Sequence, residues 1–302
     1  SAGAVPQALA AAATSAILAW HCSSPPPRAD DAAGSSESSE PLDARWTSRE
    51  CRLLSDEPPL ELLEGRFVFA DGAGVRVWPA TACLAEYLRA TGLHSDRLAE
   101  GAPWKGSRVL ELGCGCGALA VLLARWECER VVATDASPKA LALAAANAER
   151  HCPQALRDGR LQLRLGDWAD ASACRKLREA EGPFDAVVAA DAVLAIPPSG
   201  PMWQANEALA RAAASPPEPL LEATRELAAG GAEVFLAVAE RAGDVRATAR
   251  ALLDRRHQLE LLSPPREIQP EGGGHPVTIF HFRWKEAPGV GGDVTRQLWG
   301  SM

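Results

Sequence analysis

The clearest order in the chain is an alternation of short aliphatic runs with amphipathic stretches from Arg108 onward. Arg108–Leu112 reads as a strand, a Gly-rich turn follows, and Ala118–Trp126 spaces its apolar residues as a helix. Arg130–Thr134 is a second strand. Ser137 and Pro138 then open a helix over Lys139–Cys152, the serine as N-cap and the proline at the first position. Leu161–Leu165 and Phe184–Ala189 read as the third and fourth strands. Leu220–Ala229 is a helix stopped by Gly230-Gly231, and Glu233–Ala239 is a fifth strand. Val245–Arg256 is helical, and Val277–Trp284 alternates as the last strand. Strands separated by helices mean βαβ units with right-handed crossovers. The expected fold is α/β and doubly wound: a mostly parallel seven-stranded sheet with helices on both faces, its last strand antiparallel.

Ahead of this region, Leu60–Val77 has a strand-like pattern interrupted by the turn Asp71-Gly72, and Thr81–Ala90 spaces apolar residues as a helix ended by Gly92. A β-hairpin and helix element is therefore expected over 60–90. Residues 21–45 are rich in Ser, Pro, Ala and acids and cannot bury enough apolar surface to offset the entropy of ordering. The expected organisation is a disordered low-complexity extension over 1–45, one domain over 46–286 and a tail over 287–302. No internal repeat is visible.

Composition narrows the function classes. The 302 residues are 47% hydrophobic and 23% charged, which fits a soluble globular protein. A formal charge of −8 gives phosphate backbones no attractive field, so nucleic acid is not expected as a partner. Lys105, Lys139, Lys176 and Lys285 are the only lysines, and the other basic residues are arginines. Eight scattered cysteines form no C-x-x-C pair and have no histidine at zinc-ligand spacing, so no metal site and free thiols in a reducing compartment are expected. The six histidines form no cluster. No apolar run is long enough to span a membrane, and no basic residue precedes the apolar stretch 5–20. The expected setting is cytoplasmic, with nuclear or organellar placement open because the chain starts at Ser1. A monomer is expected.

The chemistry is concentrated in V109-L-E-L-G-C-G-C-G117, between a strand and a helix. Gly113, Gly115 and Gly117 let the backbone turn sharply and approach a ligand, and the helix behind them presents unpaired amides. Such a loop at the carboxyl end of a parallel strand is where open α/β sheets bind cofactors. Asp135 closes the next strand, 22 residues after Gly113, where a carboxylate can accept from both ribose hydroxyls. The spacing is G-x-G-x-G and position 118 is Ala, which departs from the nicotinamide fingerprint. Glu111 adds negative charge beside the loop, disfavouring a pyrophosphate and favouring a cationic cofactor. S-adenosylmethionine, with an ammonium and a sulfonium, meets that demand.

E-L-G-C-G-C-G, Asp135, G-D-W at 166–168 and F-D-A-V-V-A-A-D at 184–191 together resemble the class I, seven-β-strand, Rossmann-like methyltransferases. More narrowly, V77-W-P-A-T-A-C-L-A-E-Y-L88 and the pair Glu240-Arg241 resemble the protein-lysine methyltransferase group called methyltransferase family 16. The resemblance covers about 65–285. It implies S-adenosylmethionine as donor, with Gly113, Gly115 and Gly117 along its methionine and ribose portion and Glu111 near the amino end. It implies Asp135 on the ribose, Asp167 and Trp168 at the adenine, and Trp78 beside the methionine arm. Asp191 opens the group's D-x-x-Y motif and is implied as the catalytic and donor-contacting carboxylate. Here the motif reads Asp191-Ala-Val-Leu194, without the aromatic; Trp203 is the candidate for a replacement ring. Cys114 and Cys116 are expected to pack.

The expected function is methyl transfer to a protein lysine, so a protein partner is implied. Alternatives are a small-molecule methyltransferase and a non-catalytic interaction protein that keeps the donor pocket. A nicotinamide oxidoreductase ranks behind them.

Overall fold

The computed structural model describes residues 46–65, 73–93, 104–194, 216–228, 231–241 and 243–285. The expected extension over 1–45, the turn at Asp71-Gly72, Trp203 and the tail over 287–302 lie outside these residues. The chain opens with strands β1 (Trp46–Cys51) and β2 (Leu60–Gly65), then helix α1 (Pro79–Thr91). The main layer follows with β3 (Arg108–Leu112), α2 (Ala118–Arg125), β4 (Arg130–Asp135), α3 (Pro138–His151) and α4 (Pro153–Arg157). Next come β5 (Leu161–Leu165), α5 (Ala171–Glu181), β6 (Ala186–Ala190) and α6 (Pro217–Leu227). The described part closes with β7 (Glu233–Ala239), α7 (Asp244–Asp254), β8 (Leu259–Leu261), β9 (Arg266–Ile268) and β10 (Val277–Trp284).

The large sheet has the order β5-β4-β3-β6-β7-β10-β8, with β9 also paired to β10. β3 through β7 run parallel, and β10 is antiparallel to β7 over Val277–Arg283. The fold is thus the expected doubly wound one, with eight strands in place of seven. β8 and β9 share the outer edge of β10, one pairing its carboxyl end and the other its amino end. Strands of three residues show too little alternation to be read from a sequence.

A second departure concerns the expected hairpin over 60–77. β2 pairs backwards with β1, Trp46 opposite Gly65 and Cys51 opposite Leu60, and Ala73–Val75 is a single 3-10 turn. A Cβ at Gly65 would lie 2.7 Å from Val75 Cγ2, so Val75 packs onto bare backbone at the end of β2.

Side chains alternate across the sheet as its period of two requires. Val109, Val131, Phe235, Ala237 and Ile279 face α1 and α2, packing with Leu84, Leu88, Leu119 and Trp104. Leu110, Leu112, Val187, Val234, Leu236 and Phe280 face α6 and α7, packing with Leu221, Leu227 and Leu252. Trp104 is fully buried, donates from Nε1 to the Leu88 carbonyl at 2.7 Å and meets Phe235 edge-on. The same alternation carries the polar Glu111 onto the α2 side, with Val109. The small β1–β2 ribbon is fastened to the main layer by Asn147 of α3. Its Oδ1 accepts from the Leu63 amide at 2.7 Å, and its Nδ2 donates to the Leu63 and Cys116 carbonyls at 3.0 and 2.9 Å. The seven described cysteines are free, and burial pushes the Cys51 thiol up to about 12. No described helix is long and apolar enough to cross a membrane, and no described group of His, Cys, Asp and Glu is arranged to hold a metal.

Candidate active site

β3 ends at Leu112 and the chain reverses through Gly113–Gly117 into α2. The Cys114 amide donates to the Thr134 carbonyl at 2.8 Å, and the Gly115 amide to Asp135 Oδ2 at 2.9 Å, so the loop is pinned to the end of β4. Gly115 has φ +55°, and a Cβ on it would lie 2.7 Å from the Gly74 carbonyl oxygen. The 3-10 turn therefore rests on the bare middle of the loop. A Cβ at Gly113 would come 3.0 Å from the Trp168 ring and 3.8 Å from Ala192, which brings the ends of β5 and β6 to the same place. The gap left at Gly117 is filled differently, by Ala144 of α3. All three glycines thus admit close neighbours: Gly113 the Trp168 ring, Gly115 the backbone of Gly74 and Gly117 helix α3.

Asp135 is nearly buried. Its Oδ1 accepts from the Ser137 amide at 2.8 Å while Oδ2 takes Gly115. The Ala136 amide also acts on this carboxylate, which still keeps acceptor capacity for a ligand hydroxyl. Burial raises its pKa against the pull of these amides. Asp167 is exposed and accepts from the Ala169 amide at 2.8 Å, so turn geometry fixes its carboxylate beside Trp168.

Glu111 lies beneath the loop with 2% of its surface exposed. Burial and the Asp135 charge push its carboxyl up to about 8, with the Ala120 amide of α2 pulling the other way. Its Oε2 has no hydrogen-bond partner within the protein. A folded pKa above the unfolded value of 4.5 means the folded state binds the extra proton, so stability is full below pH 4.5 and declines as pH rises towards 8. Glu111→Gln should flatten that decline, which reaches about 1.4 kcal/mol per pH unit for one proton. Urea melts between pH 5 and 8.5 check this; parallel pH profiles for the two proteins would refute it.

At the end of β6, Asp191 has φ +59° and a side chain 1% exposed. Its Oδ2 is paired with Arg241, and its Oδ1 is buried without a partner. Arg241 also reaches Asp244 Oδ2 at 3.5 Å and the Val193 carbonyl at 3.4 Å, and its guanidinium stands 5.6 Å from the Trp78 ring centre. Trp78, Asp191 and the Glu240-Arg241 pair are thus one cluster, assembled from the start of α1, the end of β6 and the turn before α7. Trp78 also lines a cleft of about 560 Å³ between β1, α1 and residues 268–272. Its walls include Leu53, Leu54 and Ile268, with Glu50, Glu86 and Glu271 among the polar residues.

The sequence reading singled out Trp78, Glu111, Gly113, Gly115, Gly117, Asp135, Asp167, Trp168 and Asp191. It did not find Gly74, Asn147 or Asp244. Gly74 lies in a segment read as strand, and Asn147 is one polar residue on an apolar helix face. Asp244 carried a faint signal, following Glu240-Arg241 after a glycine.

Residues 109–214 match the family model of a methyltransferase domain. No curated protein matches the chain. Among solved structures, a Streptococcus mutans protein assigned to the SAM-dependent methyltransferases superposes with TM-score 0.50 at 11% identity, covering 79% of this chain and 55% of that one. Magnesium protoporphyrin IX methyltransferase from Synechocystis, solved with bound SAM, gives TM-score 0.40 and 19% identity over 73% of this chain and 89% of that one. An O-methyltransferase from Bacillus cereus, solved with SAH, gives TM-score 0.40 and 21% identity over 60% and 75%. Over these residues the chain is similar to methyltransferase domains, and its doubly wound fold is the Rossmann-like one. The residues present fit a cationic donor such as S-adenosylmethionine: Asp191 Oδ1 and the Glu111 carboxyl oxygen Oε2 are buried without hydrogen-bond partners, and Asp135 keeps acceptor capacity at the end of β4.

Proposed function

We propose that the chain transfers the methyl group of S-adenosylmethionine to the side-chain amine of a lysine in a protein. The observation that carries this reading is the buried, half-satisfied carboxylate of Asp191, which is joined through Arg241 to Trp78, a residue lining the cleft. A buried acceptor oxygen without a donor costs about 1–3 kcal/mol, which an N–H from an entering amine or ammonium would relieve. Trp78 offers an aromatic wall for a cationic stem. The missing aromatic at Leu194 leaves Trp78 as the described ring beside this carboxylate.

The bound donor supplies a methyl carbon whose bond to sulfur breaks as the amine lone pair bonds to it, the sulfur keeping the electron pair. The chain's part is placement and desolvation. Asp135 would hold the ribose, Gly113 and Gly115 would let the backbone approach the methionine arm, and Trp168 with Asp167 would flank the adenine. A lysine amine has a reference pKa of about 10.4 and must shed its proton before attack. Asp191 Oδ1 would orient the neutral amine by accepting one N–H.

Methyl-tritiated S-adenosylmethionine with a cell extract tests the reading. Label should appear in a discrete protein band as methyl-lysine, and Asp191→Asn should slow its appearance about a hundredfold. Label confined to small molecules or to RNA would overturn the lysine assignment.

A further inference from the structure

Two carboxyl groups, Glu111 and Asp135, are buried together at the carboxyl ends of β3 and β4, and the Asp135 charge acts on Glu111. Two ionised carboxylates that share a site screened from water repel strongly, so one of them keeps its proton. Hydrogen bonds decide which. Asp135 accepts from the Gly115 and Ser137 amides at 2.9 and 2.8 Å, and such bonds favour its ionised form. Glu111 Oε2 has no donor. Burial and Asp135 together outweigh the pull of the Ala120 amide, so Glu111 keeps the proton up to about pH 8. The Cys114 and Cys116 thiols, which feel Glu111 from the loop, are kept neutral by burial. Its neighbours in the sheet, Ala133 and Val188, are apolar.

The donor proposed above brings two cations, a sulfonium and an ammonium, and only the ammonium has N–H groups to offer an unpartnered oxygen. We propose that donor binding expels a proton from Glu111, so that a side chain neutral in the ligand-free protein becomes the carboxylate that faces the donor's ammonium. The O–H bond of Glu111 breaks, its electron pair stays on the oxygen, and the proton passes to the buffer. Direct contact is not required, because an opposite charge within about 4–6 Å lowers a carboxyl pKa by about 1–3. The demethylated product keeps the ammonium, so Glu111 stays ionised through turnover and recovers its proton when the product leaves. Donor affinity is thereby tied to pH through a residue that takes no part in the methyl transfer itself. The inference rests on the donor reading and is independent of whether the acceptor is a lysine.

S-adenosylhomocysteine is the probe, because it has the ammonium and cannot transfer a methyl group. Titration calorimetry of the full chain at pH 7, in phosphate and in imidazole buffer, counts the protons released from the difference in apparent binding enthalpy. The unaltered protein should release about 0.5–1 proton per ligand bound, and Glu111→Gln close to none. From pH 6 to pH 8 the ionised form of Glu111, which binds the cation better, becomes more populated. The Kd of the unaltered protein should therefore fall about tenfold over that range, and that of Glu111→Gln by less than about twofold. 5′-Methylthioadenosine has the nucleoside and the thioether but no amino-acid end, and should bind the unaltered protein without releasing a proton. Should Glu111→Gln fail to fold, this second ligand still decides the matter. Equal release with both ligands would place the proton on a group facing the nucleoside, Asp135 first, and would overturn the proposal. So would a binding enthalpy for S-adenosylhomocysteine that is the same in both buffers. Failure of the unaltered protein to bind either ligand would instead overturn the donor reading.

Discussion

Asp135→Ala is expected to weaken binding of S-adenosylhomocysteine by about a hundredfold or more. Two effects act in the same direction. On the proposed reading the carboxylate accepts from the ribose, and hydrogen bonds to a charged acceptor contribute about 1.5–3 kcal/mol each. It also accepts the Gly115 and Ser137 amides at 2.9 and 2.8 Å, so its loss leaves two backbone donors without partners and releases the loop from the end of β4. Asp135→Asn should fall between the two proteins, since its amide oxygen keeps one backbone bond while its NH2 opposes the other. Titration calorimetry on the three proteins checks the order. A loss under tenfold in the alanine variant would mean that the ribose is held elsewhere.

Gly117→Ala should be the most damaging single methyl group in the donor loop, through stability more than through affinity. At φ +81° an alanine pays about 1–2 kcal/mol for its backbone alone. The new Cβ would sit 2.8 Å from the Ala144 Cβ and 3.0 Å from its Cα, and backbone atoms cannot swing aside as a flexible side-chain tip would. Overpacking of this kind adds about 1–3 kcal/mol, so a total near 3 kcal/mol is expected. Chemical denaturation gives the number, and Gly159→Ala is the comparison: it shares a positive φ of +76° but meets nothing within 4 Å. Similar losses in both would show that backbone strain alone governs Gly117. The compensating pair Gly117→Ala with Ala144→Gly should recover part of the packing loss and none of the strain.

The sheet was legible because its strands are buried on both faces and separated by amphipathic helices. Glu233–Ala239 and Val277–Trp284 agree with the sequence reading residue for residue. Leu60–Val77 was misread because alternation reports a strand without naming its partner, and β1, four of whose six residues are exposed, gives little apolar signal. The helix α5, over Ala171–Glu181, was missed for a related reason: only Cys174 and Glu181 on it are buried, too few to show a period. At the site, residues with a local signature could be found, such as the glycine loop, the carboxylate closing a strand and the G-D-W turn. Partnerships could not. Nothing in the order of residues shows that Arg241 spans Asp191 and Asp244, or that Gly74 closes onto Gly115, because these contacts join segments far apart in the chain.

The methyltransferase-domain match begins at 109, yet Asn147 binds the Leu63 backbone and the Cys116 carbonyl through one side chain. The ribbon that walls the cleft and the glycine loop therefore share a fastening inside α3. A grafted core starting at the first strand of the match would leave Asn147 facing an empty slot, so any exchange of the core must carry the ribbon with it or replace Asn147 as well.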